Sequence, residues 1–471
     1  MKRLLLPALA LLLGACAQNP ATGDIDFVMM SEYEEMGLGK KGHQVIVEDY
    51  GVYADPALQQ YIEAVGKKLV QHSHRSNIEY HFTILDTQTV NAFALPGGYI
   101  YITRGMLAHL NSEAELAAVL GHEIGHVTAR HAVRQYSSSA AFAVGATLLP
   151  GMGAGIGQSL VQQMTKAISL GYGREHELES DRLSVEYLAR AGYDPQAMSR
   201  IIRLLENQET LETEIAKQEG REPHTYHGVY ATHPGNDERD DELDKQAQRL
   251  TQRDVVEGRD EFLAHIDKLS YGRDSSSGVV KDGVLYHAAY GLAVTLPPGW
   301  KAAPMPDVFV AQSPDRAVLL TLNRLNSSYG SAPSLMQKIL GNNDENIPLP
   351  VSINGLPASV YALEDAKFAV YKSAADVAVV LALRAETSSD LAEHAEEGDR
   401  AINSVRALTE SEYRLFKPHA VKLLTTTPGL TYAELARDSV LGKHAENLLR
   451  LLNGAYPDGE PSAGQTIKII E

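Results

Sequence analysis

His122, Glu123 and His126 stand in the order His-Glu-Ile-Gly-His. On an α-helix, residues four apart share a face. His122 and His126 can therefore offer two imidazole nitrogens to one metal ion. Glu123, one position along, can reach a water beside that metal without ligating the metal itself. Two nitrogen ligands and a carboxylate base on one rigid element suit metal-assisted hydrolysis. The surrounding stretch reads as a helix. Apolar Leu116, Val119, Leu120, Ile124 and Val127 recur at helical spacing, and Ser112 with Glu115 reads as a capping box at its start.

A third ligand decides the class. A further histidine ten residues after His122 is excluded, because Ala132 stands there and Ala129 stands where the pattern needs glycine. His131 lies nine residues after His122, about half a rotation away on a straight helix, and is not expected to join the site. A second amphipathic stretch, Gly173–Asp194, carries Glu175, Glu177, Glu179 and Asp181 above an apolar face of Leu178, Leu183, Val185, Leu188 and Ala189. Residues two apart on a helix point about 200° from each other. Glu177 and Asp181 share one face, so Glu177 can ligate while Asp181 accepts from a ligand imidazole. Glu175 and Glu179 are expected to point away.

HEIGH followed by this ExxxD, with NAFALPGGYIYITRGML upstream and THPGNDER downstream, resembles peptidase family M48, gluzincin-type zinc endopeptidases with HtpX-like and CAAX-prenyl-protease-like members. The resemblance covers roughly residues 25–269. It implies one Zn2+ per chain on His122, His126 and Glu177, with Glu123 as catalytic base and Asp181 behind the ligands. In the family the Thr232-His233-Pro234 motif, with Arg239 beyond it, lies beside the metal. His233 or Arg239 could stabilise the oxyanion, or His233 could occupy the open coordination position of a latent site. In gluzincins a strand borders the cleft and a substrate backbone can add to it, which makes Asn91 and Ala92 the candidate peptide contacts.

Several elements must hold these residues. Ser31–Asp49 and Pro56–His72 read as helices, the second with Asp55 as N-cap and Pro56 at its first position. Tyr80–Leu85, Val90–Ala94 and Tyr99–Thr103 read as strands turning at Pro96-Gly97-Gly98. From Gln135 to Thr165 no residue is charged. This Ala/Gly-rich stretch reads as a helix plus a lid, or alternatively as a shallow membrane contact. Tyr271–Gly283 is a Ser/Gly-rich linker. Residues 284–410 read as a small α+β domain whose start, YGLAVTLPPGW, resembles PsbP-like domains. Residues 411–471 read as a tail module resembling a LysM fold.

Residues 1–15 read as a signal peptide. Lys2 and Arg3 precede a short apolar core that ends in Leu13-Gly14-Ala15-Cys16. Cys16 is the only cysteine among 471 residues, placed as a lipidation site rather than as half of a disulfide. Ala17, rather than Asp, favours the outer membrane. A net charge of −18 argues against nucleic acid as a partner. The sequence thus predicts an α+β chain: a mostly helical gluzincin core over residues 16–270 with a small antiparallel sheet, then the α+β domain and the tail. The expected function is zinc-dependent endopeptidase action on unfolded or misassembled envelope proteins, with outer-membrane assembly machinery as a possible partner. A lipid anchor would hold the chain on the periplasmic side of the outer membrane. The alternative is a chaperone-like adaptor with a latent zinc site.

Overall fold

A computed structural model describes residues 16–138, 171–219, 223, 237–250, 253–272, 278–304, 309–325, 330–341, 348–373, 377–416 and 419–471. The chain divides into two compact units. The first comprises residues 1–272 with 419–471, the second residues 273–418.

The first unit opens with a hairpin of β1 (Cys16–Gln18) and β2 (Ile25–Phe27). Helix α1 (Glu32–Tyr50) starts at a complete capping box of Ser31 and Glu34, and α2 (Pro56–Val70) starts where Asp55 accepts from the amides of Ala57 and Leu58. Strands β3 (His81–Leu85), β4 (Ala92–Leu95) and β5 (Tyr99–Thr103) form a sheet in the order β3-β5-β4. β4 and β5 pair antiparallel, but β3 runs parallel to β5, so the sheet is mixed where an antiparallel one was expected. Gly97 and Gly98 make the turn at positive φ, and a Cβ at Gly98 would lie 2.3 Å from the Glu79 carbonyl oxygen. No other residue fits that close approach.

Next come α3 (Arg104–His109) and α4 (Glu113–Thr128), then α5 (Arg174–Ala191), α6 (Ala197–Glu219), α7 (Asp237–Leu250), α8 (Arg259–Ile266) and β6 (Ser270–Tyr271). α4 is the central element: every residue from Ala114 to Thr128 is buried. Its cap differs slightly from the expected box. Ser112 Oγ accepts from the Glu115 amide, while the Glu115 carboxylate accepts from the Asn111 amide at 2.7 Å instead of the Ser112 amide.

The second unit holds two antiparallel sheets. β7 (Gly278–Lys281), β8 (Val284–His287), β9 (Leu292–Thr295) and β17 (Arg406–Ala407) form one, in the order β17-β9-β8-β7. The other comprises β10 (Lys301–Pro304), β11 (Phe309–Gln312), β12 (Val318–Arg324), β13 (Pro350–Ile353), β14 (Leu356–Ala362), β15 (Ala366–Lys372) and β16 (Ala378–Ala385), in the order β10-β11-β12-β16-β15-β14-β13. One face of the large sheet packs with Trp300, Leu320, Leu381 and Ile402, the other with Leu335 and Met336 of α9 (Ala332–Leu340). The expected linker is shorter than Tyr271–Gly283, since β7 already starts at Gly278.

The tail is not a free-standing module. β18 (His419–Thr425) pairs with both β19 (Thr466–Ile470) and β6. Val421, Leu451, Leu452 and Ile470 share one apolar core with Leu116, Leu120 and Ile124 of α4. The fully buried Lys468 donates from Nζ to the carbonyls of Ala108 (2.7 Å) and Leu110 (2.6 Å), just before α4.

Candidate active site

Two helices build the site, and small residues let them meet. Gly121 and Gly125 of α4 face Ser184 and Ser180 of α5. A Cβ at Gly125 would lie 3.1 Å from Ser180 Cα and 3.2 Å from its carbonyl oxygen, and one at Gly121 would lie 2.9 Å from Ser184 Oγ. Ser184 Oγ donates to the Ala118 carbonyl at 2.8 Å, pinning the helices together. At that spacing Glu177, fully buried, reaches the face that carries His122 and His126. The Gly125→Ala variant should force α5 outward by a few tenths of an ångström. We expect roughly tenfold weaker metal binding and slower proteolysis, read by chelator competition and peptide cleavage. Unchanged affinity would show that the helices can part without moving Glu177.

His122 Nε2 lies 3.0 Å from His126 Nε2. Each of these nitrogens is 3.5 Å from a Glu177 carboxylate oxygen. Among the described residues this is a group that could hold a metal ion, with all donor atoms within 4.8 Å of one another. Two imidazole nitrogens and a buried carboxylate, all converging, match the donor chemistry of a hydrolytic zinc centre. His122 Nδ1 meets Asp181 Oδ1 at 2.9 Å, the contact expected from the shared helix face. Burial lowers the His122 pKa, but the Asp181 and Glu177 carboxylates outweigh it and push it up to about 10. Glu123 is buried between its neighbours on α4.

The other imidazole is held differently, through residues expected to stay outside the site. α4 stops at Thr128. Arg130 takes a left-handed conformation (φ 56°), and helix resumes over residues 131–138. Arg130 is fixed there by Glu35 Oε2 (2.9 Å) and the Met30 carbonyl (3.0 Å). The straight-helix placement of His131 therefore fails: the break returns His131 to the site, with Nδ1 2.8 Å from His126 Nδ1. Glu179 is likewise not a bystander. Its Oε2 lies 3.1 Å from His131 Nε2 and accepts from Arg134 Nη1 at 3.0 Å. Burial raises the Glu179 pKa, but His131 and Arg134 bring it down to about 2. The Tyr172 ring stacks on His126 at 4.3 Å, and His176 stacks on His131 at 4.3 Å.

Asn91 precedes β4, and its backbone is committed to Thr103, whose amide donates to the Asn91 carbonyl at 3.0 Å and whose Oγ1 accepts from the Asn91 amide. Ala92 opposes Ile102. By the alternation of an antiparallel ladder, the N–H and C=O of Ala92 point away from β5 toward the sheet's edge. Of the two candidate peptide contacts, only Ala92 turns its backbone away from β5, and it is itself buried. His233 lies outside the described residues. Arg239 lies on α7, but its side chain is outside the description, as is the uncharged stretch from residue 139 onward. Among the described residues no helix is long and apolar enough to cross a membrane.

Residues 56–247 match the model of Peptidase family M48. This segment is a Peptidase family M48 domain. By that kinship it is a metalloendopeptidase domain. The chain is 28% identical to a Yersinia pestis protein named beta-barrel assembly-enhancing protease, over 73% of each chain. It is 30% identical to the Escherichia coli protein of that name, over 45% of this chain and 43% of that one. It is also 31% identical to the mitochondrial metalloendopeptidase OMA1 of Arabidopsis thaliana, over 36% of each. The chain thus spans less than half of the latter two.

Proposed function

We propose that this chain is a zinc-dependent endopeptidase of the bacterial cell envelope, removing unfolded or misassembled envelope proteins. The observation that carries the chemistry is the convergence of His122, His126 and Glu177 with Glu123 on the same helix. A zinc ion held by those three residues would polarise the scissile carbonyl and acidify a water beside it. Glu123 takes that water's proton and later passes it to the leaving amine. Asp181 holds the His122 ring by its Nδ1. The edge of β4 at Ala92 offers a backbone N–H and C=O to an extended substrate, which suits an unfolded chain better than a folded surface. His233 and Arg239 are proposed as oxyanion or capping groups on the motif resemblance alone.

The envelope role is supported by the names of the bacterial relatives. The membrane anchor is supported by Leu13–Cys16 ahead of Ala17, which reads as attachment on the periplasmic side of the outer membrane. Outer-membrane assembly machinery is a proposed partner on the same relatives' names.

Two measurements test the reading. The purified chain should contain about one zinc, and a chelator should abolish casein cleavage, with zinc restoring it. Cleavage that survives complete metal removal overturns the zinc mechanism. Separately, the Cys16→Ser variant should leave the membrane fraction for the soluble periplasm. Unchanged fractionation with membranes overturns the lipid anchor.

A further inference from the structure

The two imidazoles of the site are oriented by unequal means. His122 leans directly on the Asp181 carboxylate. The outer nitrogen of His126 meets another imidazole, His131, at 2.8 Å. For His126 to present the Nε2 lone pair toward Glu177 and His122, its proton must sit on Nδ1. His126 Nδ1–H then donates to His131 Nδ1, which must be an acceptor. The His131 proton is thereby placed on Nε2, which faces Glu179 Oε2 at 3.1 Å. Glu179 is an ionised acceptor fixed by Arg134 at 3.0 Å and by Asn19, whose Nδ2 donates to Oε1 at 3.2 Å. Arg134 is itself held by Asp26 at 3.3 Å. Ser180 Oγ also approaches His131 Nδ1, at 3.4 Å. The stacked His176 and Tyr172 rings stop the two imidazoles from rotating.

We propose that His131 and Glu179 are positioning residues, a His-to-carboxylate relay that sets the tautomer and ring orientation of the His126 ligand. The two ligands of the same motif would thus be supported by one carboxylate directly and one carboxylate through an intervening imidazole. The inference rests on the zinc-site reading above. It adds that the metal's hold on His126 depends on residues that neither HExxH nor ExxxD specifies: His131 beyond the first motif and Glu179 at an unspecified position within the second.

The test uses the full chain and measures zinc affinity by competition with a chromophoric chelator. His131→Ala and Glu179→Ala should each weaken affinity by roughly 10–100-fold, the usual effect of losing an outer partner of a ligand imidazole. His131→Asn, which returns an acceptor near the Nδ1 position, and Glu179→Gln, which keeps an acceptor oxygen, should recover part of that loss. Because Glu179 acts through His131, the double Ala variant should bind zinc no more weakly than His131→Ala alone. Losses that multiply in the double variant overturn the relay, as does wild-type affinity in both single Ala variants. Should His131→Ala fail to fold, the partly exposed Glu179 decides through its Ala and Gln variants. A wild-type chain that binds no zinc overturns the proposed function instead; one that binds zinc with both Ala variants unaffected overturns only the relay.

Discussion

Glu123→Gln should keep about one zinc per chain while proteolysis of an unfolded substrate falls by about 10²–10⁴-fold, the share general-base catalysis supplies. The substitution is isosteric, and Glu123 lies on a helix buried along its whole length from Ala114 to Thr128. The fold should therefore be undisturbed. The amide removes the one property the step requires, a lone pair that can accept the water's proton. The group that could hold the metal is His122, His126 and Glu177, so on the proposed reading metal content should not change. Metal content and cleavage of casein are measured on the same preparation. Retained cleavage assigns the base elsewhere. Loss of zinc would recast Glu123 as a ligand.

A chain ending at residue 418 should lose stability on a scale that threatens the whole first unit. An independent tail would predict an unchanged peptidase domain, but the contacts say otherwise. The Lys268 amide donates to the Val421 carbonyl at 2.8 Å, and the Val421 amide to the Leu269 carbonyl at 2.9 Å. Val421, Leu451, Leu452 and Ile470 belong to the core of α4. Each large apolar side chain removed costs about 1.5–3 kcal/mol of burial. Lys468 also leaves two carbonyls beside α4, those of Ala108 and Leu110, at about 1–3 kcal/mol for each buried group left unsatisfied. Arg259, which donates to both the Asn111 and Thr466 carbonyls, loses one end of its bridge. Together these losses are comparable with a domain's total stability of about 5–15 kcal/mol. The truncated chain should aggregate or melt at least about 10 °C lower by differential scanning fluorimetry. A midpoint within a degree or two of the full chain's would return the tail to the status of an appendage.

The parts of the site that could be read from sequence are those fixed by helical spacing alone. His122, His126, Glu177 and Asp181 each sit within a single unbroken helix, so their faces follow from the 3.6-residue repeat. What could not be read depends on partners remote in sequence. His131 joins the site because Arg130 adopts φ 56°, and Arg130 does so because Glu35 and the Met30 carbonyl hold its guanidinium. Nothing local in ValThrAlaArgHis announces that break. Glu179 was placed facing away by the same helical repeat, but its partners His131 and Arg134 come from beyond the break. The one available signal was the packing of glycines and serines: Gly121 and Gly125 four apart on one helix, Ser180 and Ser184 four apart on the other. Lys468, within the apolar strand ThrIleLysIleIle, gave no sign that it would reach across to the loop before α4.

With a lipid on Cys16, as proposed, the β1–β2 hairpin would set how far the chain can work from the membrane. Asn19, which holds Glu179, follows Cys16 by three residues. Three residues of extended chain span at most about 10–11 Å. With a lipid on Cys16, no long leash would separate the bilayer from the residues that support the metal site. The cleft would then sit within a molecular radius of the membrane face and could not sweep the depth of the periplasm. Its substrates would be chains presented at that surface, and widening the working radius would take either a longer segment between Cys16 and Asn19 or release of Asn19 from Glu179.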